Sequence, residues 1–379
     1  MKRISIIGAG FGALTAARSL RRLDSQAEIT LIAPAAEFIY LPSLIWVPTG
    51  LRSGDDLRFS LTGMLRRHRL GFHAGRVSGL ADGGRRVVTD QGEVTNDGLV
   101  IACGGRFIKK LPGIENALSI CENIEGAQRL RDRLTALASG RLAFGFAGNP
   151  NDPSAVRGGP MFELLFGVES WLRRANRRDK FELTFFAPMA EPGKRLGEQA
   201  MRGLLAEMAR RGIQTVLGSK LTGFETNRVN TEGGSFEADL IAFMPGITGP
   251  AWAENAGLPL SPGGFFQADE FCRVQGAERV FVAGDAGSYP GPDWMPKQAH
   301  MADLQAKAAA ANLLRVMDGQ APLARPKTEL ACIVDTLDGG TLVYRTEARN
   351  LLFSSRWLHY AKRFFEWYYL LQLRRDTMS

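Results

Sequence analysis

A pyrophosphate cradle and a solitary thiol are the two features of this sequence whose chemistry is easiest to name. Residues 4–17 read ISIIGAGFGALTAA, with Gly8-x-Gly10-x-Gly12 followed by Ala13. A β-rich run precedes the glycines and a helix-favouring run follows, the context in which this spacing binds a dinucleotide. Gly8 permits the tight turn, Gly10 lets the backbone approach a pyrophosphate, and Ala13 keeps the helix close to the sheet; Phe11 and Gly12 complete the turn. The helix N-terminus adds partial positive charge. Far downstream, ELACIVDTLDGG (residues 329–340) carries Cys332 in a short apolar run before an acid and a Gly-rich turn. A thiolate is a nucleophile, yet a free cysteine in an apolar strand is also ordinary core filling. The choice depends on what the rest of the chain brings to it.

The chain must hold these residues in elements that its composition allows. Its 379 residues suffice for two or three domains, and 45% hydrophobic with 23% charged content is ordinary for a globular protein. Four cysteines without a CxxC pair, and four histidines, provide neither a disulfide framework nor a zinc site, so no metal is expected. The formal net charge of +8 suggests an anionic partner or surface, but the basic residues form no long block and nucleic acid is not expected. The start, MKRISIIGAG, runs directly into a strand, so no secretory signal is expected. No window supplies the roughly 20 apolar residues of a membrane-spanning helix. The second strand, AEITLIA, ends at Ala33, where an acid would bind the ribose of NAD; Glu37 is a substitute a few residues on.

Two further segments identify the occupant. ERVFVAGDAGSYPG (residues 278–291) is an apolar strand ending in Gly284-Asp285, and DGLVIACGG (residues 97–105) ends in Ala102-Cys103-Gly104. They resemble the second and third fingerprints of flavoproteins with two dinucleotide-binding domains. In those proteins the acid binds the ribityl chain of FAD, and a threonine stands where this chain has Cys103. The resemblance implies FAD as cofactor and gives Val77 the position whose backbone meets the adenine. The middle of the chain, GRLAFGFAGNPNDPSAVRGGPMFE (residues 140–163), has the strand of a second such unit but no GxGxxG, and Pro150 and Pro153 interrupt the turn. A Rossmann-like domain that has lost its nucleotide is expected there.

The full set resembles the sulfide:quinone oxidoreductase and flavocytochrome c sulfide dehydrogenase group of disulfide reductase-like flavoproteins. The likeness rests on ITLIAPAAEFIYLPSLIWVPTG with Pro42, LSICENIEGAQRLRDRL with Cys121, GGPMFE, WMPKQAH with Lys297 and Gln298, and ACIVDTLDGG with Cys332. It implies a flavin-facing Cys332, a Cys121 that in some members is attached to the flavin, and Lys297 as charge at the flavin's pyrimidine end. One departure is specific. A second sulfur-relay cysteine belongs a few residues before Pro160, and this chain has Arg157 and no thiol there. Sulfur release would then need an external thiol, persulfide or sulfide. Cys103 and Cys272 read as structural.

The C-terminal LHYAKRFFEWYYLLQLRR reads as a basic amphipathic helix suited to a bilayer interface. Trp357, Leu358, Ala361, Phe364, Phe365 and Tyr368 are expected on its apolar face, and His359, Lys362, Arg363 and Glu366 on its polar face. The expected fold is α/β, with two Rossmann-like dinucleotide-binding domains of the glutathione reductase type and a C-terminal helical tail. The FAD halves are placed at 1–110 and 246–320, the nucleotide-free domain at 111–245, and the redox-cysteine and membrane-contact segment at 321–379. The expected activity is electron transfer from sulfide or a small thiol or persulfide, through FAD, to membrane quinone, on the inner, cytoplasmic face of the membrane, with homo-oligomers possible. Alternatives are a flavoprotein passing electrons to cytochrome c, a type II NADH:quinone oxidoreductase, and a non-catalytic FAD-binding membrane-associated protein.

Overall fold

The computed structural model describes residues 1–377, with side chains through residue 375. Five parallel strands form the first sheet in the order Val280–Val282, Gly98–Ile101, Arg3–Ile7, Glu28–Ala33, Leu70–Ala74. Their apolar residues run continuously instead of alternating, because both faces of a parallel sheet are covered. Ile4, Ile6, Leu31, Val100 and Phe281 are all buried, each contributing roughly 1.5–3 kcal/mol through burial. The helices Phe11–Leu23 and Ala299–Met317 cover one face and pack against each other. Ala13, Ala16 and Ala17 share one core with Ala306, Ala309 and Ala310, and such small side chains let two helices approach closely.

A second parallel sheet has the order Gln214–Leu217, Phe181–Ala187, Gly140–Phe146, Leu240–Met244. The helix Gly159–Arg174 packs on it through Phe162, whose ring lies 5.4 Å from Phe146 and 5.2 Å from Phe185. In both units a three-stranded antiparallel meander precedes the strand that pairs with the first strand from the other side, Gly98–Ile101 or Leu240–Met244: Val77–Ala81, Arg86–Thr89 and Gly92–Thr95 in one, Leu221–Glu225, Arg228–Thr231 and Gly234–Glu237 in the other. The fold is therefore two Rossmann-like units followed by a C-terminal addition.

That addition is an antiparallel sheet, Glu329–Asp335, Gly340–Thr346 and Asn350–Ser355, and the helix Leu358–Thr377. The expected aromatic face points outward, but the polar face, expected toward water, is turned inward. His359 and Glu366 are buried and Lys362 faces inward, while Trp357, Tyr360, Phe364, Phe365, Trp367 and Tyr368 are each at least half exposed. Leu358, expected among the exposed apolar residues, is buried. Each inward charge meets a partner from elsewhere: His359 Nδ1 lies 2.9 Å from Asp335 Oδ1, Lys362 donates to Glu163, and Arg52 donates to Glu366. Buried charges persist only when paired in this way. The last turns are not free either, since Leu370 and Leu373 enter the core of the first unit and Tyr369 packs 5.0 Å from Phe11. Among the described residues no helix is long and apolar enough to cross a membrane.

Candidate active site

The N-terminal turn has the shape that a pyrophosphate requires. Gly8 has φ +122°, and a Cβ there would lie 2.4 Å from the carbonyl oxygen of Ala102; no other residue fits. Gly10 is different, because a Cβ on it would meet nothing within 4 Å. Its glycine serves a space beside the turn and not the packing of the turn. The helix Phe11–Leu23 begins there with no side chain capping its amides, so its N-terminal N–H groups point to that space unfilled.

The other predicted cofactor residues converge on the same end of the sheet. Ala102, Cys103 and Gly104 follow the strand Gly98–Ile101, with Gly104 at φ +75°. Gly284 (φ +72°) and Asp285 follow Val280–Val282, and Gly284 N donates to Gln305 Oε1 at 2.9 Å. Ala33 ends the neighbouring strand, Val77 begins the first meander, and Pro42 lies in the turn Leu41–Trp46. Gln298 stands at the N-terminus of the helix Ala299–Met317, and its Nε2 is buried without a hydrogen-bond partner. Lys297 Nζ donates to the Gly287 carbonyl at 2.7 Å and lies 3.8 Å from the centre of the Phe265 ring; burial pushes it down to about 8. An open amide-lined turn, an orphaned amide and a buried cation with no carboxylate in contact fit the pyrophosphate and the electron-rich edge of a flavin. Glu37 is not available as a ribose ligand, being exposed and paired with Arg58 at 2.9 Å. Cys103 and Cys272 have thiols pushed upward by burial, as structural cysteines do.

In the second unit the corresponding turn is rebuilt. Between the strand Gly140–Phe146 and the helix Gly159–Arg174 lies a hairpin, Gly148–Asn149 with Asp152–Val156. Asn149 Nδ2 donates to the carbonyls of Ile247 (2.9 Å) and Gly263 (3.0 Å), and Arg195 donates to Ser154 O. The hairpin ends at Arg157, whose guanidinium pairs with Asp285 of the first unit.

The two predicted redox cysteines lie in or against one core cluster and share the same charged neighbours. Cys121 precedes the helix Ile124–Ala136 and joins the large core cluster; Cys332 packs against the same cluster from the strand Glu329–Asp335. Both feel Glu163 and Lys362. The surroundings of Cys332 do not activate its thiol. Burial, then the Glu163 carboxylate, pushes Cys332 up to about 12, with Lys362 opposing; burial also takes Cys121 to about 12, against the pull of Arg157. Both cysteines are therefore neutral thiols in the resting chain, and a base must take the proton.

Glu163 is placed to be that base. Burial pushes its carboxyl up to about 7, with Lys362 as the main opposing influence. Its Oε2 accepts from Lys362 Nζ and from the Asp335 amide at 3.2 Å. Burial pulls Lys362 down, but Glu163 and Cys332 outweigh it and hold the ammonium above its ordinary value. Asp335 in turn accepts from Trp46 Nε1 at 2.7 Å and meets His359. Sequence reasoning passed over Glu163, Asp335, Trp46 and the inward role of Lys362. Glu163 lies in the quoted GGPMFE segment and Asp335 three residues after Cys332, so position alone could have flagged them.

The chain matches the pyridine nucleotide-disulphide oxidoreductase family over residues 2–306. It is 26% identical to the sulfide-quinone reductase of Aquifex aeolicus over 407 aligned residues, covering 100% of this chain and 92% of that protein. It is also 26% identical to the type II NADH:quinone oxidoreductase Ndh of Mycobacterium tuberculosis, covering 85% and 74% respectively. Among solved structures, the Aquifex aeolicus sulfide:quinone oxidoreductase superposes with a TM-score of 0.90 at 23% identity, covering 99% of this chain and 92% of that one. NDH2 of Plasmodium falciparum in complex with NADH gives 0.72 at 12% identity, covering 100% and 96%. The resemblance read from the motifs is thus supported over the whole chain. With the family match, the relatives and a cradle that fits the cofactor, the chain belongs to the pyridine nucleotide-disulphide oxidoreductase family and is an FAD-dependent oxidoreductase.

Proposed function

We propose that this enzyme takes electrons from sulfide, or from a closely related small sulfur compound, and delivers them to quinone. The observation that carries the reading is Cys332 within electrostatic reach of Glu163, a carboxyl that burial raises to about 7, with Arg157 acting on Cys121 and pairing with Asp285 of the FAD cradle. Bound FAD would supply the two-electron acceptor. Cys332 forms the sulfur–sulfur bond: sulfide and the thiol combine into a cysteine persulfide, releasing two electrons and two protons. Glu163, held as a carboxylate by the Lys362 ammonium, receives a proton as the bond forms. With Arg157 where a partner thiol belongs, an external thiol or a second sulfide lifts the outer sulfur from Cys332 and restores the thiol.

The acceptor is read from the tail. Five exposed aromatic residues on one helix, with Trp357 just before it, suit an interface between lipid and water, where the enzyme would meet quinone as a peripheral protein of the inner face. The proposed division into 1–110, 111–245, 246–320 and 321–379 assigns this role to the last segment. The NADH reading, favoured by the Mycobacterium tuberculosis relative, is opposed by the hairpin in the second unit.

Cys332→Ser tests the sulfur chemistry. The variant should keep FAD and lose reduction by sulfide by on the order of a hundredfold or more, since serine is a far poorer sulfur nucleophile. Cys121→Ser should fall only partly. Undiminished reduction of Cys332→Ser would make this thiol core packing.

A further inference from the structure

The middle unit does more than lose a nucleotide site. We infer that its rebuilt turn is an arm that carries Arg157 into the FAD site of the first unit, where the guanidinium acts as a fixed positive charge toward the flavin.

The arm is held at three places. Asn149 pins its base to Ile247 and Gly263, Asp152 Oδ1 accepts from Ser154 N (2.9 Å) and from Ser154 Oγ (2.6 Å), and Arg195 clasps the Ser154 carbonyl. At the base the backbones nearly touch, since a Cβ on Gly246 would lie 2.2 Å from the Gly148 carbonyl oxygen. The chain leaving such an arm has little freedom, and Arg157 is its first residue beyond the strand. The side chain is mostly enclosed and its partner Asp285 is nearly fully so. Asp285 follows Gly284 at the end of the Val280–Val282 strand, within the set of residues that fits FAD. Arg157 is also near enough to Cys121 and Lys297 to influence the charge of each. One guanidinium therefore pairs with the cofactor acid and lies within electrostatic reach of Cys121 and Lys297.

The chemistry follows from charge. Asp285 alone would leave a carboxylate facing a flavin that gains negative charge on reduction. Arg157 neutralises it, and a spare edge of the guanidinium donates toward the same space. Positive charge beside a flavin favours its reduced form. An arginine here also means that the second relay thiol expected before Pro160 is absent, so the position chooses between a two-thiol relay and a thiol-plus-cation site. The inference needs FAD binding only and does not depend on the sulfide reading.

The test is the flavin's reduction potential and FAD affinity in purified holoenzyme, with no sulfur substrate present. Arg157→Gln should shift the reduction equilibrium about tenfold toward oxidised flavin, about 30 mV for a two-electron couple, or weaken FAD binding by a similar factor. Arg157→Lys should restore most of either effect, because it keeps the charge. Wild-type potential and affinity in both variants would overturn the inference. Equal defects in both variants would overturn it as well, since shape and not charge would then be responsible. If Arg157→Gln does not fold, Arg157→Lys alone decides: near-wild-type values in both readouts support the inference, and a defect in either contradicts it.

Discussion

The two Rossmann-like units share a sheet order, a crossover helix and a meander, and differ most where the first strand meets its helix. In one, Ile7 reaches the helix at Phe11 through a glycine turn. In the other, Phe146 and Gly159 are separated by a hairpin pinned to Ile247 and Gly263. Sheet and helices are retained in both, so the fold does not by itself confer nucleotide binding. That property lies in a turn that leaves helix amides open and backbone close to a pyrophosphate. In the second unit a hairpin replaces that turn, and Arg157 at its end pairs with Asp285 of the other unit.

The most forceful way to break this comparison is to fill the first turn while leaving its backbone alone. Gly10→Leu places a side chain in space that is open in the folded chain. It should fold and lose FAD affinity by about a thousandfold, ~4 kcal/mol, measured by flavin fluorescence on titration. Asn149→Ala at the matching place of the second unit should do the reverse. Two carbonyls lose their donor, costing about 2 kcal/mol in denaturant unfolding, while FAD affinity stays within about threefold. If Asn149→Ala strips FAD as completely as Gly10→Leu, the two turns are not functionally different.

Glu163 sharpens the comparison from the helix that follows the hairpin. Its folded carboxyl sits at about 7, above the roughly 4.3 of an exposed glutamate. Between those values the folded chain holds a proton that the unfolded chain has released. Its contribution to stability is complete below about pH 4.3 and is lost as pH rises through about 7, amounting to roughly 3 kcal/mol. Glu163→Gln should flatten that fall in urea unfolding between pH 5 and 8, and should slow sulfide-dependent reduction most at the pH where the parent is fastest. A parent whose stability rises with pH across this window would contradict the assignment.

The smallest expected change in stability is at the exposed face of the tail. Phe364→Ser with Phe365→Ser should alter unfolding by less than about 0.5 kcal/mol, because both rings already face outward. Co-sedimentation with anionic vesicles should fall severalfold and reduction of a long-chain quinone with it, while reduction by the donor is unchanged. Unaltered vesicle binding would assign the aromatic face another role.

Local signals were legible in the sequence and long-range ones were not. Gly8, Gly10, Ala13 and Gly284-Asp285 could be placed because turn chemistry and strand–turn–helix order are local. Cys121 and Cys332 were brought together by resemblance, and the structure puts them in or against one core cluster. The burial of the tail's polar face was missed because amphipathic reading sends charges to water. His359, Lys362 and Glu366 instead find Asp335, Glu163 and Arg52, at separations of 24, 199 and 314 residues. Helical periodicity carries no trace of such partners. Pro150 and Pro153 announced an interrupted turn, but the hairpin's register and the reach of Arg157 to Asp285 depend on contacts with residues near 247, 263 and 285. The thiols' upward shift likewise follows from burial among residues distant in sequence.

Anaerobic stopped-flow reduction of the FAD-loaded enzyme, with sulfide in one series and NADH or NADPH in the other, tests the contrast between the two units most directly. Sulfide should bleach the oxidised-flavin band in a saturable phase fast enough for turnover, and both nicotinamides should be at least about a hundredfold slower, because a hairpin replaces the glycine turn that would bring backbone close to a pyrophosphate. Rapid, saturable reduction by NADH or NADPH would show that the rebuilt turn still binds a dinucleotide, and would contradict the division of labour between the units.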